Sequence, residues 1–384
     1  MTWSRQLAAG VKALSLIDCI VVGGGIVGAA CARELARAGA RVDLLEGRFL
    51  GAGATSAGMG HLVTMHGAPG ELALTRHGIE AWHREDEDLK HAAEYVRTGT
   101  LWVASAPTEV DLLERQRQAF AAVGVDTELL TRVQLASIEP ALSPTARAGL
   151  RVPGDGILYA PKAAQWLGRQ PCEGRLHLRQ GARVVQVGAN WALTDDGRRF
   201  EADQVVVAAG LEARQLLPDL PLIAKRGHLM ITARRPGLLH HHVLEIGYAA
   251  STHAQSGVSV AFNVQPRPTG QILIGSSREI GVEVLDEDPG VMRQLARRAM
   301  HFLPSLASLS VLRAWTGLRA GSTTGLPIIG RAPLAGKSGH VWVAVGHEGL
   351  GVTTALVTAS ILRARMLGGC LPEGTEQFYG KEAS

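Results

Sequence analysis

An unbroken apolar stretch, Cys19-Ile20-Val21-Val22, stops at Gly23-Gly24-Gly25. Apolar positions return from Ile26 to Gly39, and Arg41-Val42-Asp43-Leu44-Leu45-Glu46 then ends on an acid. This order predicts a strand, a glycine turn, a helix and a second strand. The run from Gly51 to His61 is too small in side chains to build a core, and reads as a linker or as backbone lying close against a ligand. Helical spacing predicts helices over Gly70 to Leu89 and Glu109 to Val123, either side of a strand at Gly99 to Ala104. Arg183 to Val187 and Gln204 to Gly210 are predicted strands separated by a polar hairpin through Asp195-Asp196-Gly197. The second is an apolar run, as a strand covered on both faces must be. After Lys225 the strand candidates are His228 to Thr232, Val258 to Val264 and Gln271 to Gly275, joined by turn-rich pieces such as Pro266 to Gly270. That pattern predicts an antiparallel sheet. A helix from Pro289 to Phe302 follows, and a last buried strand, Val341 to Gly346, feeds Gly349-Leu350-Gly351 and a closing helix.

At 384 residues the chain is long for one core and comfortable for two lobes. Apolar residues make up 46% and charged residues 19%, the balance of a globular protein. The net charge of +4 is scattered among acids, so nucleic acid is not an expected partner. Cys19, Cys31, Cys172 and Cys370 stand apart, with no C-x-x-C spacing, and are expected as reduced thiols. His240-His241-His242 resembles a metal tract, but adjacent histidines on irregular chain do not face one ion together, and no Cys or acid completes a set. A solvated loop is expected there, and no metal. Met1 to Ile17 lacks the apolar core of a signal peptide, and Leu350 to Leu367 is broken by Arg363 and Arg365. Both point to a cytoplasmic protein without stable membrane insertion.

The glycine turn carries the clearest chemistry. Gly23 permits the tight turn, Gly25 removes a side chain where backbone N–H groups approach a pyrophosphate, and Gly28 lets the helix pack on the sheet. Glu46 closes the second strand about 20 residues on, where a carboxylate can accept ribose hydroxyls. Gly210 ends the later apolar strand and suits close approach to the same cofactor. Gly349-Leu350-Gly351 opens a helix whose free N–H groups and positive dipole end favour an anionic group.

Four separated pieces together resemble the D-amino-acid oxidase superfamily of FAD enzymes, over nearly the whole chain. They are Gly23 to Glu46, the run ending Thr55-Ser56-Ala57-Gly58-Met59-Gly60, Val205 to Gly210, and Trp315-Thr316-Gly317-Leu318-Arg319 with Leu326-Pro327-Ile328-Ile329-Gly330-Arg331. Thr55 to His61 and Gly346 to Thr354 look most like the β-type subunits of bacterial D-hydroxyproline dehydrogenase, opine oxidase and hydrogen cyanide synthase. The resemblance implies an α/β fold, with a Rossmann-like FAD-binding domain from residues 16–92, 152–220 and 315–384. It also implies an antiparallel-sheet, α+β substrate domain from residues 93–151 and 221–314.

Non-covalent FAD is implied against Gly23, Gly25, Ile26, Val27, Gly28, Glu46, Thr55, Ser56, Gly58, Met59, Gly60, His61, Ala209 and Gly210. Gly349, Leu350, Gly351, Val352 and Thr353 complete that set, with the backbone of Val184 at the adenine. Arg319 matches the arginine that grips a substrate carboxylate in the resembled enzymes, and its planar fork suits that geometry. His347 and Glu348 are implied to line the substrate cavity, and Tyr248 and Asn263 offer hydrogen bonds from the substrate lobe. The implied reaction takes a D-amino or imino acid, such as cis-4-hydroxy-D-proline or D-proline, to its imine by hydride transfer to flavin N5. Electrons then pass to an external acceptor or to partner subunits. An oxygen-using glycine or sarcosine oxidase, and an FAD-binding subunit whose chemistry lies on another chain, stay open. The oxidase relatives carry an arginine where this chain has Gly349, which weakens the transfer of their substrate recognition.

Overall fold

Strand Asp18–Val22, helix Ile26–Arg37 and strand Arg41–Glu46 form as the opening pattern predicts, in a computed structural model that describes residues 17–248, 257–334 and 339–378. Asp18–Val22 is central in a six-stranded sheet ordered Ile328–Pro333, His340–Val345, Gln204–Val207, Asp18–Val22, Arg41–Glu46, Leu176–Gln180. Every neighbouring pair is parallel except the first. Val205, Val206 and Val207 are fully buried, which explains their unbroken apolar run. Helices Ile26–Arg37 and Gly351–Leu367 cover one face. A small antiparallel sheet, Val184–Gly188, Trp191–Thr194 and Arg199–Glu201, covers the other. The polar turn at Asp195 to Gly197 joins two strands of this small sheet, and Gln204–Val207 belongs to the large one. That last strand ends at Val207, and Gly210, at φ 56°, starts a single tight turn.

The second large sheet has eight strands in the order Val311–Ser322, Leu222–Thr232, Ile272–Ile280, Val258–Pro266, His242–Glu245, Thr100–Ala104, Ala148–Val152, Glu128–Thr131. Its pairs are antiparallel except His242–Glu245 beside Thr100–Ala104. Helix Pro289–Phe302 packs on it with the predicted bounds. Asp288 Oδ1 caps it by accepting the N–H groups of Gly290 and Val291 at 2.7 and 3.1 Å, and Pro289 fills a first-turn position that needs no N–H. Val291, Leu295, Ala299 and Phe302 form its buried stripe, and Phe302 stacks on Phe262 with ring centres 4.4 Å apart. Burying side chains of this size contributes roughly 1.5–3 kcal/mol each.

Two expectations change. The single helix expected from Gly70 to Leu89 is two, Glu71–Arg84 and Glu87–Ala92, because Glu85 and Asp86 are extended. Glu85 leaves the helix where its carboxylate takes both Arg33 amino groups at 2.8 Å, on the neighbouring helix Ile26–Arg37. The histidine tract is not a solvated loop. His242 is fully buried in a strand, and the backbone N–H groups of His240 and His241 close on the buried carboxylate of Glu139 at 3.0–3.1 Å. Parallel pairing with Thr100–Ala104 draws the tract inward, and Glu139, distant in sequence, compensates its polar groups. The apolar stretch after Gly349 forms helix Gly351–Leu367, buried between helices Ile26–Arg37 and Glu71–Arg84, and no helix among the described residues is long and apolar enough to cross a membrane.

Candidate active site

Four segments converge where helix Ile26–Arg37 begins. Gly23 has φ 105°, and a Cβ on it would lie 2.7 Å from Ala208 O and 2.9 Å from Ala209 Cα. A Cβ on Gly28 would lie 1.9 Å from Gly23 O, so the helix passes the turn with no room for a side chain. Gly25 differs: the nearest atom to an added Cβ is Thr55 Oγ1 at 3.4 Å, so open space lies above it. Its helix has no acid in the first turn and no side-chain cap at Gly25, which leaves the amino end suited to phosphate oxygens. Thr55 Oγ1 accepts the Ile26 N–H at 3.1 Å and ties the small-residue run to this turn. Ser56 is exposed, with its hydroxyl on Gly53 O, and Gly58 sits 3.3 Å, by its notional Cβ, from Ala54 O.

Glu46 accepts the Gly24 N–H on Oε2 and the Arg48 N–H on Oε1, both at 2.7 Å. Each oxygen keeps a further lone pair for a ribose hydroxyl. Gly47 packs against Arg183, which places Val184, the first residue of its strand, beside this carboxylate. The closing helix joins from the other side: Gly351 lies 3.8 Å, by its notional Cβ, from Val27 Cγ2. Thr353 Oγ1 donates to His61 O and accepts the Val63 N–H, both at 3.2 Å, and Val352 O accepts from Trp82 Nε1 at 3.0 Å. Leu350 caps that helix without a side-chain hydrogen bond. An FAD fits these residues, with open space for phosphate over Gly25, a carboxylate for the ribose and an uncapped helix end at Gly351.

The segment from Met59 to His61 runs on to the eight-stranded sheet. Met59 is buried against Gly275, and its carbonyl accepts from Gln265 Nε2 at 2.9 Å. Gly60, at φ 82°, would place a Cβ 2.0 Å from Leu158 O. The His61 ring stacks on His242 at 5.1 Å, and His61 Nδ1 is a buried atom without a partner. Burial, with the nearby cations Arg319 and Arg278, holds the His61 imidazole well below its ordinary value, hence neutral.

Arg319 reaches the same region from strand Val311–Ser322. Its Nη1 donates to Ser277 O at 3.0 Å, across a gap that exists because residue 227 is glycine: a Cβ there would lie 2.3 Å from that nitrogen. Glu348, at φ 51°, accepts from Arg278 Nε at 2.9 Å, and its other oxygen accepts the Gly349 N–H at 2.7 Å. Burial opposes the Glu348 charge, but Arg278, Arg319 and Lys225 outweigh it and hold the carboxyl down at about 2. Burial lowers the Arg319 pKa, partly offset by Glu348. His347 turns its Nε2 to Thr358 Oγ1 at 3.0 Å, is held near 4 by burial, and shares a small pocket with Glu348, Lys225 and Leu350. Tyr248 accepts from Arg278 Nη2 at 3.2 Å, while Asn263 Oδ1 meets His242 Nε2 at 2.7 Å.

Arg278, Gly227, Lys225 and His242 have no local sequence signal that distinguishes them. Each matters through a residue 70 or more positions away: Lys225 pairs with Arg319, Gly227 makes room for it, Arg278 reaches Glu348 and His242 lies beside Thr100.

A family model described as "FAD dependent oxidoreductase" matches residues 18–365. A glycine oxidase of Geobacillus kaustophilus is 26% identical, covering 90% of this chain and 91% of its own. One of the opine oxidase subunits of Rhizobium meliloti is 25% identical, with 95% and 97% covered. Among solved structures, L-proline dehydrogenase from P. horikoshii superposes with a TM-score of 0.82 over 94% of this chain and 96% of that one, at 21% identity, a likeness of fold.

Proposed function

The chain belongs to the family of FAD-dependent oxidoreductases, and on that premise we propose that it is a dehydrogenase of a D-amino or imino acid, with cis-4-hydroxy-D-proline or D-proline as its substrate. FAD-dependent oxidation of an amine of the amino- or imino-acid type is its chemistry. The observation that carries the finer reading is Arg319. Its guanidinium is partly buried, bonded to a backbone carbonyl, and without a carboxylate in ion-pair range among the described residues, close enough to His61 to add to the burial that holds that ring neutral. A desolvated arginine of this kind is a ready receptor for a substrate carboxylate.

Residues 16–92, 152–220 and 315–384 hold the cofactor in this reading, and 93–151 and 221–314 form the substrate lobe. The boundary at 315 falls inside strand Val311–Ser322, which carries Arg319 at the edge of the eight-stranded sheet. Bound FAD supplies the two-electron acceptor for the hydride of the substrate Cα. The turn at Gly25, Thr55 and the helix end at Gly351 would hold the cofactor, Glu46 would accept its ribose hydroxyls, the buried Met59 and His61 would exclude water beside it, and Arg319 would fix the substrate carboxylate so that Cα is presented in one orientation. Electrons leave in this reading by an external acceptor or a partner subunit, as the likeness to an opine oxidase subunit supports. The proposed compartment is the cytoplasm.

A second reading, an oxygen-using glycine or sarcosine oxidase, is favoured by the glycine oxidase relative. Anaerobic titration of the yellow protein with a panel of D-amino acids, D-proline, cis-4-hydroxy-D-proline, glycine and sarcosine separates the two. Bleaching by the imino acids, followed by reoxidation that is slow in air and fast with a quinone or dye, is expected. Bleaching by glycine or sarcosine alone, with peroxide released at the turnover rate, overturns the dehydrogenase reading.

A further inference from the structure

Two guanidiniums, not one, face the space beside Gly349. A Cβ on that glycine would stand 3.9 Å from both Arg278 Nη2 and Arg319 Nε. The two are compensated differently. Arg278 is ion-paired through Nε to Glu348 Oε1 at 2.9 Å, with the side chains 3% and 12% exposed, and its guanidinium lies over the Tyr248 ring at 4.9 Å. Among the described residues Arg319 bonds the neutral carbonyl of Ser277 and no carboxylate. Lys225, a third cation near Glu348, lines a small pocket with Glu71 and His347. Arg278 therefore has a carboxylate in ion-pair range, Glu348, while Arg319 has none among the described residues.

Buried charge that lacks a counter-charge is strongly unfavourable, and like charges in one dry space repel. A ligand carboxylate on Arg319 completes the balance; a second carboxylate finds Arg278 already taken and Glu348 facing it with the same sign. Resting on the reading of Arg319 as the carboxylate receptor, we propose that the Arg278–Glu348 pair sets specificity, by neutralising the second guanidinium and so restricting the site to amines that carry a single carboxylate. Discrimination of this kind comes from a repulsive group as much as from an attractive one.

The experiment measures binding through the flavin absorbance of the full FAD-loaded chain, with acetate and glycolate as monocarboxylates and malonate and iminodiacetate as dicarboxylates. Wild type is expected to prefer the monocarboxylates. Glu348→Gln should raise dicarboxylate affinity relative to monocarboxylate at least tenfold, since the carboxylate that pairs with Arg278 Nε is then gone and no longer repels a second ligand carboxylate. Arg278→Gln should weaken monocarboxylates at least tenfold, because the stranded Glu348 charge is drawn to Arg319. The double variant, with the balance restored, should return to the wild-type ratio, an outcome that a merely structural role for either residue does not produce. An unchanged ratio in Glu348→Gln, or a double variant no closer to wild type than the single ones, overturns the proposal. If none of the four ligands perturbs the flavin of wild type, the fault lies instead with the reading of Arg319.

Discussion

Gly227 decides where Arg319 can put its charge. Strand pairing sets Lys225 opposite Arg319, so the arginine side chain must run diagonally over residue 227, and only the absence of a Cβ leaves it a path to Ser277. Gly227→Ala should therefore move the guanidinium while costing the fold little, since the crowded atoms are the far end of a flexible side chain. The expected result is a KM for the amino-acid substrate raised at least tenfold with FAD retention unchanged, approaching the effect of Arg319→Ala. Steady-state kinetics with the flavin spectrum as control checks it, and unaltered KM removes Gly227 from this role. The glycines at 23 and 28 were readable in the sequence because their constraint is local: a turn and the helix that follows it. The demand on Gly227 comes from residues 50 and 92 positions later, Ser277 and Arg319, and no spacing announces it.

Helices and strands show the same division. Pro289–Phe302 was legible to its ends because an aspartate cap, a proline and an apolar stripe of period near 3.6 all lie within it. The inward pull on His242 was not, because it comes from a parallel pairing with Thr100–Ala104 across the sheet. The last helix belongs to the second kind of information too. Its start is held by Thr353, which bonds His61 O and whose own carbonyl would lie 2.3 Å from a Cβ on Gly78 of helix Glu71–Arg84. Here the obstacle is backbone, which cannot rotate away. Gly78→Ala should destabilise the protein by about 1–3 kcal/mol, the usual cost of overpacking, and weaken FAD binding because the end of the last helix must shift. Gly247→Ala, where an added Cβ meets nothing within 4 Å among the described residues, is the control. Thermal unfolding and FAD titration of both variants decide it, and a Gly78→Ala protein as stable as the control would show that the two helices are not locked.

Across the whole molecule, the buried titratable groups make stability depend on pH with a sign that can be worked out. Burial holds His242 and His347 near 4 in the folded chain against an ordinary 6.5, and moves His61 the same way. Between these values the unfolded chain binds more protons, so the stability these histidines allow is present above pH 6.5 and is lost as pH falls toward 4, by about 3 kcal/mol for each fully shifted group. Asp155 opposes them. Burial, against hydrogen bonds from the Thr64 N–H and hydroxyl, raises its carboxyl from 3.8 to about 7, so its contribution is greatest below pH 4 and fades as pH rises to 7. Glu348, held at about 2 against an ordinary 4.5, contributes in full above pH 4.5 and loses that contribution progressively from there toward pH 2, in the same direction as the histidines. Three histidines outweigh one aspartate, so the melting temperature of FAD-saturated protein should fall steadily from pH 6.5 to 4. Asp155→Asn removes the one opposing group and should make that fall steeper, while His242→Asn should make it shallower. A melting temperature that is flat or rises over this interval, measured at fixed FAD and salt, would mean that these histidines are hydrated in the folded protein and that the stack of His61 on His242 is open to water.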